Sequence, residues 1–375
     1  MKTQLNKLTP YIHSIFEYLH THPEVSWKET ETSLFIEARL KEEEILCKPF
    51  PHHPGLIAEI GSGKPVIAVR ADMDALWQES NGTYKAIHSC GHDAHMAIVI
   101  GTAIILKNRQ IPQGTVRLIF QPAEETGEGA LEITKQGYVD DVDYLYGLHL
   151  RPIEELPSGQ AAPAISHGAS YHVSGKIMGE DAHGARPHLG TSAIEVGVIM
   201  HHLLKQIKLS PMHPYSIKMT RFEAGNEILN IIPGTALFGI DARAQTNEDL
   251  ESIKSQIQKV FLQLQTIFPI EIDQDSYPDT PASIISKEAA HFVADAIVET
   301  LGRKALSSTV VTPGSDDFHF YTKLRPSIKA SMLALGADLT PGLHHPDMTF
   351  DHSCLMTGIE IMTRTILNTL KAESH

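Results

Sequence analysis

Thr115-Val-Arg-Leu-Ile-Phe-Gln-Pro-Ala-Glu-Glu125 is a near-continuous apolar run that ends in two adjacent carboxylates. A strand of that composition belongs to a sheet covered on both faces, and parallel sheets of this kind gather ligands beyond the carboxyl ends of their strands. Neighbouring runs share the design. A strand-like stretch over 144–150 carries Gly147-Leu-His149 at its end, and Val66-Ile-Ala-Val69 leads into Arg70-Ala-Asp-Met-Asp-Ala75. Between them lies His88-Ser-Cys-Gly-His-Asp-Ala-His95, where the tripeptide Cys90-Gly-His92 sits in a cluster of a thiol and several imidazoles that no core needs.

Working outward, residues 1–169 alternate in type. Helix-like segments at 9–20 and 29–42 precede the strand at 66–69; then come a helix apolar nearly all round (94–107), the quoted strand, a helix over 129–135 and the strand at 144–150. The pattern predicts an α/β domain with a mainly parallel sheet, and the candidate ligands at its strand ends make it the expected metal-binding, catalytic domain. From about 170 the rhythm becomes strand 171–177, helix 192–207, strands 216–222 and 235–243, helix 248–267 and strand 270–275. That βαββαβ order is a ferredoxin-like split unit, with Thr246 or Asn247 as N-cap of its second helix. It predicts a second domain over 170–278 inserted into the first. A helix at 287–301, a strand at 327–334 and a closing helix at 353–371 then complete the catalytic domain over 279–375.

Composition narrows the function. The net charge of −14 over 375 residues, without a basic patch, argues against nucleic acid or an anionic membrane as partner. The first residues hold no apolar signal core, and the longest apolar stretch, around 96–106, is too short to span a bilayer. Three cysteines, Cys47, Cys90 and Cys354, make no disulfide framework. A cytoplasmic protein with reduced thiols is expected.

Thiolate, imidazole and carboxylate are donors that zinc, manganese and cobalt accept, and Cys90 and His92 can bite one site from a single loop. Adjacent carboxylates such as Glu124-Glu125 can divide the work, one ligating and one remaining as a base. His149 and His344, in Gly342-Leu-His-His-Pro346, complete a set too large for one tetrahedral site, so two metals are expected. Each piece alone has a plainer reading: Cys90 as a small buried hydrophobe, the Glu pair as a solvated helix start. Asp72 and Asp74 either cap a loop or orient a ligating histidine.

The succession Arg70-Ala-Asp-Met-Asp-Ala-Leu76, Ser89-Cys-Gly-His-Asp-Ala-His-Met96, Phe120-Gln-Pro-Ala-Glu-Glu125, Gly147-Leu-His149, His183-Gly-Ala-Arg-Pro-His188, Asn230-Ile-Ile-Pro233 and Leu343-His-His-Pro346 resembles the M20 metallopeptidases. His20-Thr-His-Pro-Glu-Val-Ser26 fits the same pattern, that of the aminoacylase and amidohydrolase branch with its N-acyl amino acid and auxin-conjugate hydrolases. The resemblance implies two divalent metals, zinc or manganese with cobalt also fitting, on Cys90, His92, Glu125, His149 and His344. It implies Glu124 as general base and then acid, and His183 as a holder of the scissile carbonyl. It further implies Asn230 and Arg243 as substrate contacts, Arg243 as a clamp for a free carboxylate, the inserted domain as a lid, and a homodimer through that lid domain. The expected reaction is hydrolysis of an N-acyl amino acid or related N-acyl amine, the alternative a dipeptidase or aminopeptidase of the same family. A cysteine hydrolase built on Cys90, or a binding protein with a structural metal, remain as readings of another class. Four places depart from the pattern: Glu17-Tyr18 stands where paired arginines are usual, Asp351-His352 keeps only part of a usual acidic pair, and two longer stretches differ. Asp74-Ala-Leu-Trp77-Gln78 stands where Asp-Ala-Leu-Pro-Ile is common, and Gly314-Ser-Asp-Asp-Phe318 where Gly-Ser-Glu-Asp-Phe is; both are expected to border the substrate.

Overall fold

In the computed structural model, which describes residues 1–375 except 110, 112, 277, 278, 374 and 375, the run quoted first forms the strand Gly114–Gln121. Alternate residues along it enter different cores: Val116, Leu118 and Phe120 one, Ile119 the other. The strand Val66–Asp72 does likewise, sending Ile67 and Val69 to one side and Val66 and Ala68 to the other. With both faces dry, most positions are apolar and the polar alternation of a half-solvated strand is absent; the charged exceptions are Arg117 in one strand and Arg70 and Asp72 in the other.

Both strands lie within a seven-stranded sheet. Its four central members, Gly114–Gln121, Val66–Asp72, Tyr144–Pro152 and Lys329–Leu339, are parallel in that spatial order. Leu46–Pro49 and Leu56–Ser62 extend it antiparallel at one edge, and Ala161–Ala162 at the other. One face is covered by residues of the helices Lys2–Thr21, Thr30–Glu42, His92–Arg109, Lys287–Leu301 and Cys354–Glu373, the other by Gly129–Lys135 and His319–Leu324. His92–Arg109 is buried from His92 through Leu106 because it packs against the strand Val66–Asp72 and the helices Lys2–Thr21 and Cys354–Glu373. That is why it is apolar nearly all round.

The chain divides into two compact units, Met1–Ser166 with Ile284–Val311 and Asp317–His375, and His167–Ser283 with Thr312–Asp316. The expected boundary at Pro278 lies outside the described residues. The second unit carries a four-stranded antiparallel sheet in the order Tyr215–Ala224, Thr235–Ala244, Ala169–Met178, Glu271–Ser276. Residues of the helices Ala193–Gln206 and Asn247–Ile267 share its core. Thr246 rather than Asn247 caps the longer helix, its Oγ1 accepting from the Asp249 N–H at 3.1 Å; Asn247 instead binds the backbone of Ala282.

Two differences from the sequence reading have local causes. The first helix begins at Lys2, not 9, because Leu5 joins Ile12, Ile15, Phe16 and Leu19 on its buried stripe, so Pro10 lies inside the helix and not at its start. Leu46–Pro49 and the hairpin Leu76–Ser80/Thr83–Ile87 escaped notice because no residue in them is fully buried, leaving little apolar pattern to read. Among the described residues no helix is long and apolar enough to cross a membrane.

Candidate metal centre

All four parallel strands deliver residues to one end. Asp72 closes Val66–Asp72, Glu124 and Glu125 follow Gly114–Gln121, His149 lies near the end of Tyr144–Pro152, and His344 follows Lys329–Leu339. Cys90 precedes, and His92 begins, the helix His92–Arg109. Two of the turns are left-handed at residues other than glycine, with φ of 55° at Ala123 and 64° at His344. That conformation costs an L-residue about 1–2 kcal/mol, so surrounding bonds must hold it. The Ala123 N–H donates to Glu29 Oε1 at 2.8 Å. The His344 N–H donates to the Ser89 carbonyl at 2.7 Å, and its own carbonyl accepts from Gln78 Nε2 at 2.8 Å.

The ligand atoms of Cys90, His92 and His149 lie within 4.8 Å of one another, as do those of Cys90, Glu125 and His344. Cys90 Sγ is 3.6 Å from His149 Nε2, and His344 Nε2 is 3.5 Å from Glu125 Oε2. His92 Nδ1 donates to the Asp74 carbonyl at 2.8 Å and His149 Nδ1 to the Leu150 carbonyl at 2.6 Å. Those bonds fix each ring so that its Nε2 is the atom offered to the cluster. Among the described residues, His92 Nε2 and Glu125 Oε1 are buried without a hydrogen-bond partner and lie 3.9 Å from one another. Buried polar atoms are normally paired, and a bound cation would satisfy both. The mixed sulfur, nitrogen and oxygen donors suit a divalent metal such as zinc, manganese or cobalt.

Electrostatics point the same way. Burial pushes the Cys90 thiol well above its ordinary range, with Glu125 and Glu124 adding to the rise. Burial likewise lifts Glu125 to about 7, against the favourable charge of His92. Burial would also raise Asp72, but His92, Arg70 and His95 outweigh it and hold that carboxylate well below its usual range. His344 is lowered by burial and by His92, which favours the neutral, ligating form. Burial would lower His92, but Asp72, Cys90 and Asp74 outweigh it and raise it well above its ordinary range, so the cluster draws positive charge, whether a proton on His92 or a bound cation.

Asp74 bridges two candidate ligands. Its carbonyl orients His92, while its Oδ2 accepts from the Glu125 N–H at 2.9 Å and from Ser26 Oγ at 2.7 Å. Asp72 Oδ1 pairs at 2.7 Å with His95 Nδ1, and Asp72 Oδ2 lies 3.7 Å from His92 Nε2. His95 was missed as a site residue, although its place three residues after His92 puts both rings on one helix face. Its Nε2 accepts the Leu150 N–H at 3.1 Å, so it fixes the backbone beside His149. Buried Arg70 donates to Asp72 at 2.5 Å and to Asp317 at 2.7 Å, and Gln121 Nε2 also binds Asp317. Glu124 Oε2 lies 3.9 Å from His92 Nε2.

The remaining expected residues lie in the second unit. His183 belongs to a short ribbon, Ala182–His183 paired with Ile231–Ile232, and the Gly184 N–H donates to the Asn230 carbonyl at 2.7 Å. The structure thus brings His183 and Asn230 together, both exposed. His183 Nδ1 accepts the Ala185 N–H at 3.0 Å, which places the proton of a neutral ring on Nε2. Arg243 is braced within its own unit: its Nε donates to Asp241 at 2.8 Å and its guanidinium reaches Ser315 Oγ at 3.4 Å.

Known proteins resemble this chain in sequence and in fold. The sequence model of peptidase family M20/M25/M40 matches residues 68–368. The chain is 29% identical to IAA-amino acid hydrolase ILR1-like 5 of Arabidopsis thaliana, over 82% of this chain and 74% of that one. It is 29% identical to N-acetyl-L-cysteine deacetylase of Bacillus subtilis, over 94% and 86%. A crystal structure from Bacillus subtilis, described as a dinuclear metal-binding peptidase of the M20 family, matches with a TM-score of 0.83 at 26% identity, covering 98% of this chain and 99% of that one.

Proposed function

We infer the activity of this chain from its lineage: it belongs to peptidase family M20/M25/M40, and it is a metal-dependent amidohydrolase. The substrate we assign is an N-acyl amino acid or related N-acyl amine. The observation that carries this reading is the convergence of Cys90, His92, Glu125, His149 and His344, with two buried partnerless ligand atoms, beside a further carboxylate, Glu124. Deacylases and conjugate hydrolases among its relatives support the substrate class.

Cys90, His92 and His149 would hold one cation, and Cys90, Glu125 and His344 a second. Bound there, divalent cations supply Lewis acidity toward water and toward an acyl oxygen. Glu124 takes the proton of the attacking water and, as the tetrahedral species collapses, hands it to the departing nitrogen. His183 Nε2–H donates to the developing oxyanion, a role that fits its tautomer. Asn230 and Arg243 contact the rest of the substrate, and the second unit acts as a lid. We read the chain as a cytoplasmic homodimer that pairs through this unit, whose strand Tyr215–Ala224 is a sheet edge.

The test is amine release from N-acetyl, N-benzoyl and other N-acyl amino acids, with free dipeptides alongside, before chelation, after it, and after restoring manganese, zinc or cobalt. Metal-restored release from the acyl series is expected. Cleavage of dipeptides alone would replace the assigned substrate with that of a dipeptidase.

A further inference from the structure

We propose that Gln78 is a positioning residue for one of the two cation sites, the one built by Cys90, Glu125 and His344; the assignment rests on the dinuclear reading above. His344 is the outlier of the ligand set. Its side chain is 54% exposed, whereas that of Glu125 beside it is 9% exposed, and its backbone is left-handed. No core packing of the kind that surrounds His92 fixes it.

Three hydrogen bonds do so instead, in a closed ring. The His344 N–H donates to the Ser89 carbonyl at 2.7 Å, Ser89 Oγ donates to Gln78 Oε1 at 2.6 Å, and Gln78 Nε2 donates to the His344 carbonyl at 2.8 Å. Both polar groups of the His344 backbone are therefore held by the segment that carries Cys90. Gln78 lies on the hairpin strand Leu76–Ser80, and the paired strand Thr83–Ile87 runs directly into Ser89 and Cys90. A side chain that both donates and accepts is required to close this ring, and an aliphatic residue of similar size can do neither. Gln78 is also one of the positions where this sequence departs from the pattern it resembles.

Cys90 is common to both sites, but the two further ligands of the other site do not depend on the ring. His92 and His149 are aimed by bonds from Nδ1 to the carbonyls of Asp74 and Leu150. Loss of Gln78 should therefore affect one cation and spare the other.

The test is calorimetric titration of metal-stripped protein with Mn²⁺, supported by a melting curve for each variant. Wild type should take up two cations. Gln78→Leu should bind the first as wild type does and the second about 10–100-fold more weakly, the usual effect of removing a partner that orients a ligand. Gln78→Glu keeps the acceptor for Ser89 but sets a carboxylate against the His344 carbonyl, and should lose the second cation similarly. Ser89→Ala leaves the backbone bond and the Gln78 donor in place, and should weaken the same cation by a smaller factor. Unchanged binding of both cations by Gln78→Leu overturns the proposal while leaving the dinuclear reading intact. Equal weakening of both cations overturns it as well, by assigning Gln78 to the fold at large. A wild type that binds a single cation overturns the dinuclear reading and this proposal together.

Discussion

The two units hold their functional candidates in opposite ways. In the first, Arg70, Asp72, Asp74, His92 and His95 are buried at the ends of parallel strands, and hydrogen bonds join them to one another or to the backbone. In the second, His183 and Asn230 are exposed on a ribbon of two residues per strand, fixed by local backbone bonds. Geometry for charge chemistry has to be built in advance, because displacing any of the buried groups strands another in a dry interior. Contacts to a variable substrate tolerate a surface ribbon whose rearrangement disturbs little packing. Substitutions among these buried groups of the first unit should therefore alter cation binding or stability, and those on the ribbon of the second should alter turnover alone.

The sharpest test lies where the two behaviours should separate within one residue pair. Glu124→Gln should lower turnover about 10²–10⁴-fold, the usual contribution of a general acid–base group, with cation content unchanged. Metal analysis beside single-turnover rates would check it, and a near-normal rate would remove Glu124 from the chemistry. Arg70→Met should cost about 3–5 kcal/mol in denaturant unfolding, because it takes the one guanidinium that pairs with both buried carboxylates, Asp72 and Asp317, from between them. A variant as stable as wild type would show that the buried ends are not braced by charge. His183→Ala should lower kcat by roughly 10²-fold while the melting temperature and cation stoichiometry stay as they are. A change in cation content there would erase the contrast between the units.

Legibility in the sequence follows the range of the interactions. Cys90 and His92, or Glu124 and Glu125, sit together because a single loop carries them, so their chemistry shows in a short window. The helices Gly129–Lys135 and Lys287–Leu301 fall where the sequence puts them, and the second is punctuated by Ser286, whose side chain accepts from the Ala289 N–H, and by Gly302 at φ 88°. The supports of the site were hidden for the opposite reason. Arg70 meets Asp317 across 247 residues, Gln78 meets His344 across 266, and Glu29 meets Ala123 across 94. No local pattern marks one end of such a pair, since the partner is chosen by the sheet order. Arg243 shows the converse: its partner Asp241 is two residues away on the same strand, and only the structure reveals that the guanidinium is already engaged.

Glu29 offers a milder probe of how far the built-in character of the first unit extends. Its side chain is fully buried, Oε1 accepting from Ala123 and Oε2 without a partner. Burial, with the nearby charge of Asp74, raises its pKa from 4.5 to about 8. Below pH 4.5 the carboxyl is protonated whether the chain is folded or not, and its effect on stability is constant. Between 4.5 and about 8 the unfolded chain gives up the proton while the folded one keeps it, so unfolding becomes steadily easier as pH rises. Glu29→Gln cannot ionise and keeps an oxygen for the Ala123 N–H. In metal-stripped protein the variant should therefore gain on wild type by about 1.4 kcal/mol over the single unit from pH 6 to 7, measured as the difference between two urea unfolding free energies. Parallel pH profiles would mean that Glu29 is ionised in the fold, and that the turn before Glu124 is held by a charged acceptor; a widening gap would mean that a neutral acid holds it.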